Sequence, residues 1–524
     1  MQKALKMGKT SAAGSFQLFL GVATSTVVMA VGTIILARLM TPEEYGLYSV
    51  ALIPSYMIIL FRDWGISSAI TKYTAALRAQ NKQEKTREII KAGIIFETVM
   101  GLALWLLSIS LSGYIATTVF QRPESTHLIA IASITIFTGA LTTAAQSAFV
   151  GFERMELSSL TTICQAIAKT FISSILVFMG YNALGAVLGY TASTIVAAAI
   201  GLMILYLVAL KNLEAKDPQN SNLSQTVREM LRYGVPLSIS TILSGFLIQF
   251  YSFLMAVYCT DTMIGNYKAA TQFATILTFF TIPISTVLFP TFSKINPESE
   301  HELLQTVFAS SVKYASLVLV PVAAAMMVLS KPMIGTLFGN KWTYAPLFLT
   351  LYVVDNLFTI FGSLSLGGLL AGLGETKTQM KLSLITLIIG IPLAFLLIPT
   401  MGIIGLILTS IIAGKPSLII GLHWIWKKYK AKVDINLSIR ILAASAAAAT
   451  TTFLAMNFIA CTDWIELAIG ALTFLATYLI AAPAIGAVNQ TDIRNLKTMF
   501  SGLGLISKLI NIPLAAMEKL LSVT

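Results

Sequence analysis

Apolar runs about 20 residues long recur from one end of the chain to the other, each long enough to cross a hydrocarbon core as a helix. Only 11% of the 524 residues are charged, against roughly a quarter in a soluble domain, so there is too little polar surface to face water on every side. In lipid every backbone N–H and C=O must be satisfied internally, which leaves helices or a closed barrel. Barrel strands alternate polar and apolar residues, and these runs do not. The expected fold is an all-α integral membrane protein with about fourteen transmembrane helices. A second span is expected over 46–70, a fifth over 157–180, a tenth over 343–371 and a twelfth over 401–425.

The basic residues orient these spans. With both termini on one side, that side collects Lys3, Lys6 and Lys9, then Lys72, Arg78, Lys82, Lys85, Arg87 and Lys91, and later Lys427, Lys428, Lys430, Lys432 and Arg440. The opposite side holds only Arg38, Arg122, Lys268, Lys331 and Lys341. Positively charged connections stay inside, so both termini are expected in the cytoplasm of a cell-membrane protein. The same rule accounts for the net charge of +12 without a nucleic-acid partner. No connection reaches the roughly 50 residues that a soluble catalytic domain needs, so an enzyme is not expected. The 3 cysteines lack metal-ligand spacing, and no metal or other cofactor is expected apart from possible H+ or Na+ coupling.

One string occurs twice. Ala37, Thr41, Gly46, Tyr48 and Ala51 are matched at a constant offset by Ala256, Thr260, Gly265, Tyr267 and Ala270. Phe120, Gly151 and Gly185 find counterparts near Phe338, Gly372 and Gly405 at almost the same offset. This is an internal duplication. It divides the chain into an N-terminal six-helix lobe (1–210), a cytoplasmic linker (211–232), a C-terminal six-helix lobe (233–426), an appended helix pair (437–488) and a cytoplasmic amphipathic tail (489–524). Two lobes of even span number share one orientation, so pseudo-twofold symmetry about a central cavity is expected, opened to one face at a time. The tail alternates apolar and basic positions at helical spacing, as a helix lying on the inner leaflet would. In the repeated string, Gly46 and Gly265 are expected to turn the chain into the next helix, with the tyrosines as interfacial anchors.

Polar stripes at helical spacing mark candidate cavity walls: Thr135, Thr138, Thr142 and Gln146; Thr162, Gln165, Lys169 and Ser173; Tyr352, Asn356, Thr359 and Ser363. Such stripes can instead bond to a neighbouring helix. An ionised group at the bilayer centre costs about 2.5–3.5 kcal/mol even on the lenient scale, so each one needs water or a partner. Lys169 and Lys415 fall near the middle of their spans and are read as cations meeting an anionic ligand, with Arg62 and Arg38 in support. The alternative is structural, with either lysine paired to Asp355 or Glu97 inside a lobe. Asp63, Glu97 and Asp355 are candidates for ion coupling.

The run Ala37-Arg38-Leu39, Pro42-Glu43-Glu44-Tyr45-Gly46-Leu47-Tyr48 and then Asp63-Trp64-Gly65-Ile66 resembles the polysaccharide-export (Wzx-type) branch of the multidrug/oligosaccharidyl-lipid/polysaccharide (MOP) flippase superfamily. Met40-Thr41 departs from that branch's usual pair. The likeness covers about residues 10–425 and fits a plan of six, six and two spans. It implies a flippase that moves polyprenyl-(pyro)phosphate-linked oligosaccharide from the cytoplasmic to the outer leaflet. The protein would then be a monomer among membrane lipids, working with glycan-assembly proteins. A cation-coupled multidrug exporter (MATE-like) is the alternative, against which central lysines argue. A glycosyltransferase would need external acidic residues such as Glu43 and Glu44, which the second copy of the string lacks.

Overall fold

A computed structural model describes residues 2–210, 223–297, 299–458 and 461–500, together with 511–512, 514–515 and 517–518. The first half of the expected linker and most of the tail beyond 500 lie outside these residues. Every described element is helical, as backbone satisfaction in lipid demands. In order the helices are α1 (Gln2–Leu39), α2 (Pro42–Ile59), α3 (Ile66–Ala79), α4 (Gln83–Tyr114), α5 (Thr126–Gly151), α6 (Met155–Leu176), α7 (Asn182–Ile204), α8 (Leu223–Tyr258) and α9 (Asp261–Ser293). They continue with α10 (His301–Val328), α11 (Ser330–Phe338), α12 (Ala345–Leu357), α13 (Ser363–Gly372), α14 (Thr376–Tyr429), α15 (Ile435–Asn457), α16 (Asp463–Ala484) and α17 (Gln490–Phe500).

Among the described residues, 8 helical stretches are long and apolar enough to cross a membrane, or 10 if each of two bent pairs is one span. This is fewer than the number expected, partly because consecutive spans run together. Met155–Val208 and Thr376–Tyr429 are each 54 residues long. At 1.5 Å per residue that is about 80 Å, more than twice a bilayer core of roughly 30 Å. Each is broken near its middle, by Gly180 (φ 92) in the first and by Gly402 (φ 60, ψ −130) in the second. In the second stretch the two halves fold back on each other. Ser417 Oγ donates to the Leu382 carbonyl at 2.8 Å, and Gly405 lies against the Leu397 carbonyl. The expected second and tenth spans are themselves interrupted. The second stops at Ile59 and resumes at Ile66 after Gly65 (φ 79). The tenth passes through a 3-10 turn, Phe358–Phe361, and Gly362 (φ 83).

The chain forms two compact units, Met1–Gly265 and Asn266–Thr524. The division falls later than the expected linker, because α8 belongs to the first unit. Backbone meets backbone where Gly234 faces Gly65, since neither carries a Cβ. Tyr233 packs edge-on against Tyr73, Thr226 donates to Glu88 at 2.6 Å, and Met230 is fully buried with Ile70 and Ile90. In the second unit α17 does not present its apolar face to a leaflet. Ile493 and Leu496 enter the core formed by α10, α15 and α16, and Asp492 is paired with Lys313 at 2.6 Å. An apolar helix face is covered equally well by protein or by lipid, and here protein covers it.

The repeated string has a different role from the one expected. Thr41 is the N-cap of α2 in a capping box. Its side chain accepts from Glu44 N–H at 3.2 Å, and its own N–H donates to the Glu44 carboxylate at 2.7 Å. Pro42 occupies the first helical position, where its missing N–H costs nothing. Gly46 therefore lies inside the helix, and Tyr45 and Tyr48 are buried rather than interfacial. A Cβ on Gly46 would sit 1.9 Å from the Asp261 carbonyl oxygen, and one on Gly265 would sit 1.8 Å from that of Pro42. Under the repeat Pro42 corresponds to Asp261 and Gly46 to Gly265, so the contact is reciprocal: the two copies of the string cross each other. Gly46→Leu or Gly265→Leu is expected to destabilise the detergent-solubilised protein by at least about 1–3 kcal/mol, read as a lower melting temperature. An unchanged melting temperature for both variants would contradict the crossing.

Candidate functional site

Lys415 lies midway along the second half of α14, immediately before Pro416, which cannot donate the next helical hydrogen bond. Its Nζ is 2.5 Å from Asp355 Oδ1 and 3.5 Å from the centroid of the Phe358 ring. The expected lysine therefore has the carboxylate partner that the structural alternative required. The pair is nevertheless not enclosed: the Asp355 side chain is 56% exposed and that of Lys415 21%. Asp355 stands in the last turn of α12, just before the helix breaks at Phe358. Of the third polar stripe, Thr359 is buried, and the turn at Phe358–Gly362 interrupts the single face that sequence spacing implied.

Lys169 lies in the middle part of α6, half-buried, with its Nζ 5.0 Å from the Tyr190 ring. The Tyr56 hydroxyl donates to that of Tyr190 at 3.1 Å, so an aromatic pair backs the ammonium. Among the described residues Lys169 has no carboxylate within ion-pair distance. Arg38 is exposed in the last turn of α1, where a cation complements the helix dipole. The first polar stripe does not line an opening. Thr135, Thr138 and Thr142 are buried, Thr138 donates to Thr194 at 2.8 Å, and Gln146 donates to Thr161 and Thr162 at 3.1 Å. They join helices to one another.

In the sequence Arg122 reads only as an external charge, yet it is 8% exposed and engaged through all three guanidinium nitrogens. Its Nε donates to Asp261 at 2.7 Å, one terminal nitrogen to the Phe120 and Ala256 carbonyls, and the other to the Cys259 carbonyl at 2.6 Å. It thus closes the C-terminal end of α8, where helix carbonyls lack intrahelical donors. The signal that could have found it is the repeat, which places Lys341 at the matching position of the second half.

Arg62 does not face a ligand in this structure. It lies in the break between α2 and α3, 5% exposed, with Nε 3.2 Å from Glu97 Oε2 and one terminal nitrogen donating to Thr143 at 2.8 Å. Glu97 is fully buried, and its approach to Nε is not aligned as a hydrogen bond. Asp63 caps the next helix, accepting from Ser67 N–H at 2.8 Å and Ser67 Oγ–H at 2.6 Å. Each of the three carboxylates considered for ion coupling therefore has a protein partner. Removing one member of a buried pair strands the other charge. Glu97→Ala is expected to cost about 3–5 kcal/mol of stability, and the double variant Arg62→Met/Glu97→Leu much less. Comparing melting temperatures of the two in detergent checks this, and equal losses would contradict it.

Residues 11–296 match the family described as "Polysaccharide biosynthesis protein". The succinoglycan biosynthesis transport protein ExoT of Rhizobium meliloti (strain 1021) is 23% identical over 312 residues, 59% of this chain. The match spans 59% of that relative's length. Among solved structures, the lipid II flippase MurJ in an inward closed conformation superposes with a TM-score of 0.72 at 15% identity, covering 89% of this chain and 97% of MurJ. An inward-facing MATE family transporter of the MOP superfamily gives 0.61 at 16% identity, covering 78% and 94%. These likenesses establish the fold, and the family match spans more than half of the sequence. The chain is a multi-pass membrane protein of the polysaccharide biosynthesis protein family, with the fold seen in MurJ and in that MATE family transporter.

Proposed function

We propose that this protein is a flippase for polyprenyl-(pyro)phosphate-linked oligosaccharide, carrying it from the cytoplasmic to the outer leaflet of the cell membrane by alternating access, with both termini in the cytoplasm. The observation that carries the reading is Lys415, a lysine midway along a span whose carboxylate partner is more than half exposed. An ionised pair in that position must reach water, because hydrocarbon would not tolerate it. A fixed cation reached by water at mid-depth suits an anionic cargo, since it lowers the barrier that a phosphate head group meets in a low-dielectric slab. Lys169 supplies a second such charge. Arg38 serves at the outer end, where a released head group would emerge, whereas Arg62, buried against Glu97, holds helices together and does not meet the cargo.

Family and relatives support this reading. ExoT is named as a succinoglycan transport protein and MurJ as a lipid II flippase. The protein catalyses no bond-making step on this account. Glu44, one of the two external carboxylates a glycosyltransferase would use, is committed to the cap of α2. The chemistry is translocation alone, and any H+ or Na+ coupling would pass through Asp63, Glu97 or Asp355.

Reconstitution tests the reading. Proteoliposomes containing the wild-type chain are expected to flip a polyprenyl diphosphate-linked sugar, and Lys169→Ala and Lys415→Ala to slow this by roughly tenfold or more each, the loss of one charge-assisted contact. Normal flipping by both folded variants would remove these lysines from the site. Efflux of cationic drugs without lipid flipping would favour the MATE-like alternative, whose fold this chain also matches.

A further inference from the structure

Asp355 is badly placed for the helix that carries it. It stands in the last turn of α12, where the dipole is negative and an anion is disfavoured. The next residues leave the α-helix for a 3-10 turn. Its described partner is the Lys415 ammonium, 2.5 Å from Oδ1. A carboxylate kept only to neutralise a lysine inside a lobe would be enclosed, like Glu97, which has no exposed surface. Asp355 instead exposes 56% of its side chain, and Lys415 is open to 21%. Beneath the ammonium lies the Phe358 ring, 3.5 Å from Nζ, which holds the cation in place whichever anion faces it. The site thus has a fixed cation on an aromatic floor and one open carboxylate as its lid.

We infer that Asp355 is a resident counter-anion, which occupies Lys415 in the unloaded protein and is displaced when the phosphate of an incoming lipid-linked sugar takes its place. The inference rests on the flippase reading above and adds a role for Asp355 that ion coupling does not contain. Displacement exchanges one charge-assisted contact for another, so Lys415 is never left alone in the span. The unloaded protein then returns with a neutral pair at mid-depth, and in the loaded one the cargo neutralises the cation while the displaced Asp355 carboxylate, already 56% exposed, turns to water. Recapture of Lys415 by Asp355 also drives release. Asp355 therefore lowers affinity and raises turnover.

The test uses the full-length protein in nanodiscs and three ligands: a fluorescent polyprenyl diphosphate, the corresponding polyprenyl alcohol, and phosphatidylglycerol as a competing anionic head group. Wild type is expected to bind the diphosphate in preference to the alcohol and in the presence of phosphatidylglycerol. D355N should bind the diphosphate roughly five- to tenfold more tightly, as removal of one competing charged contact implies. In proteoliposomes it should turn over more slowly at saturation. D355E should behave as wild type, and K415A/D355N should bind no more tightly than K415A, because Asp355 acts through Lys415. Weaker or unchanged binding by D355N, with wild type binding the diphosphate, would overturn the inference and leave the flippase reading standing. Loss of folded D355N with D355E intact would mark the pair as structural and would also overturn it. If wild type does not distinguish diphosphate from alcohol, or phosphatidylglycerol displaces the diphosphate fully, the flippase reading fails and the inference falls with it.

Discussion

A hydrocarbon slab offers an ionised side chain nothing to pair with, and that shortage organises this molecule. Every charge the sequence places within a span has had to find a solution, and the solutions differ. Arg62 and Glu97 solve it by mutual burial, with Thr143 taking part of the guanidinium. Asp63 caps a helix. Lys169 rests against an aromatic pair. Among the described charges placed within spans, Lys415 and Asp355 pair while remaining open, and that difference separates a joint from a candidate site. Closed charge pairs hold helices in register. An open one can exchange a partner.

The same shortage applies to the backbone. A span can be interrupted only where neighbouring protein or water takes up the freed groups. The break after Ile59 coincides with the buried Arg62, whose guanidinium lies 3.4 Å from the Ile136 carbonyl. The break at Phe358–Gly362 coincides with the Lys415–Asp355 pair. The end of α8 is closed by Arg122. Three irregularities of the backbone thus each have a cation beside them. At the end of α8 the Arg122 donors satisfy carbonyls that no helix serves.

Much of this was legible in the sequence, and the rest was hidden for physical reasons. Helical, membrane-spanning architecture follows from run length and low charge alone. The duplication located the corner at residues 37–51, but identity between copies could not reveal that the copies touch. Gly46 was read as a turn because glycine permits turns; its use here is the close approach of one helix to another's first carbonyl. Hydropathy likewise found α8 but not the unit it joins, which Gly234 and Tyr233 decide through contacts distant in sequence. Threonine stripes at helical spacing look alike whether they meet water or another helix, and Thr138 and Gln146 turned out to meet helices. Midplane lysines were readable by position. Their partners were readable only as a choice among carboxylates, and the exposure that gives Asp355 its meaning was not readable at all.

On the proposed reading water, and then an anionic head group, reaches residue 415 within the span. A chain with the 3 native cysteines replaced and Lys415→Cys introduced tests it directly, using a membrane-impermeant, positively charged thiosulfonate reagent. Labelling at position 415 is expected, and the resulting cationic adduct should restore part of the binding of polyprenyl diphosphate, but not of polyprenyl alcohol, that the unlabelled cysteine variant lacks. A thiol at 415 that stays inert to the reagent, or a cationic adduct that binds the diphosphate no better than the unlabelled thiol, would contradict it.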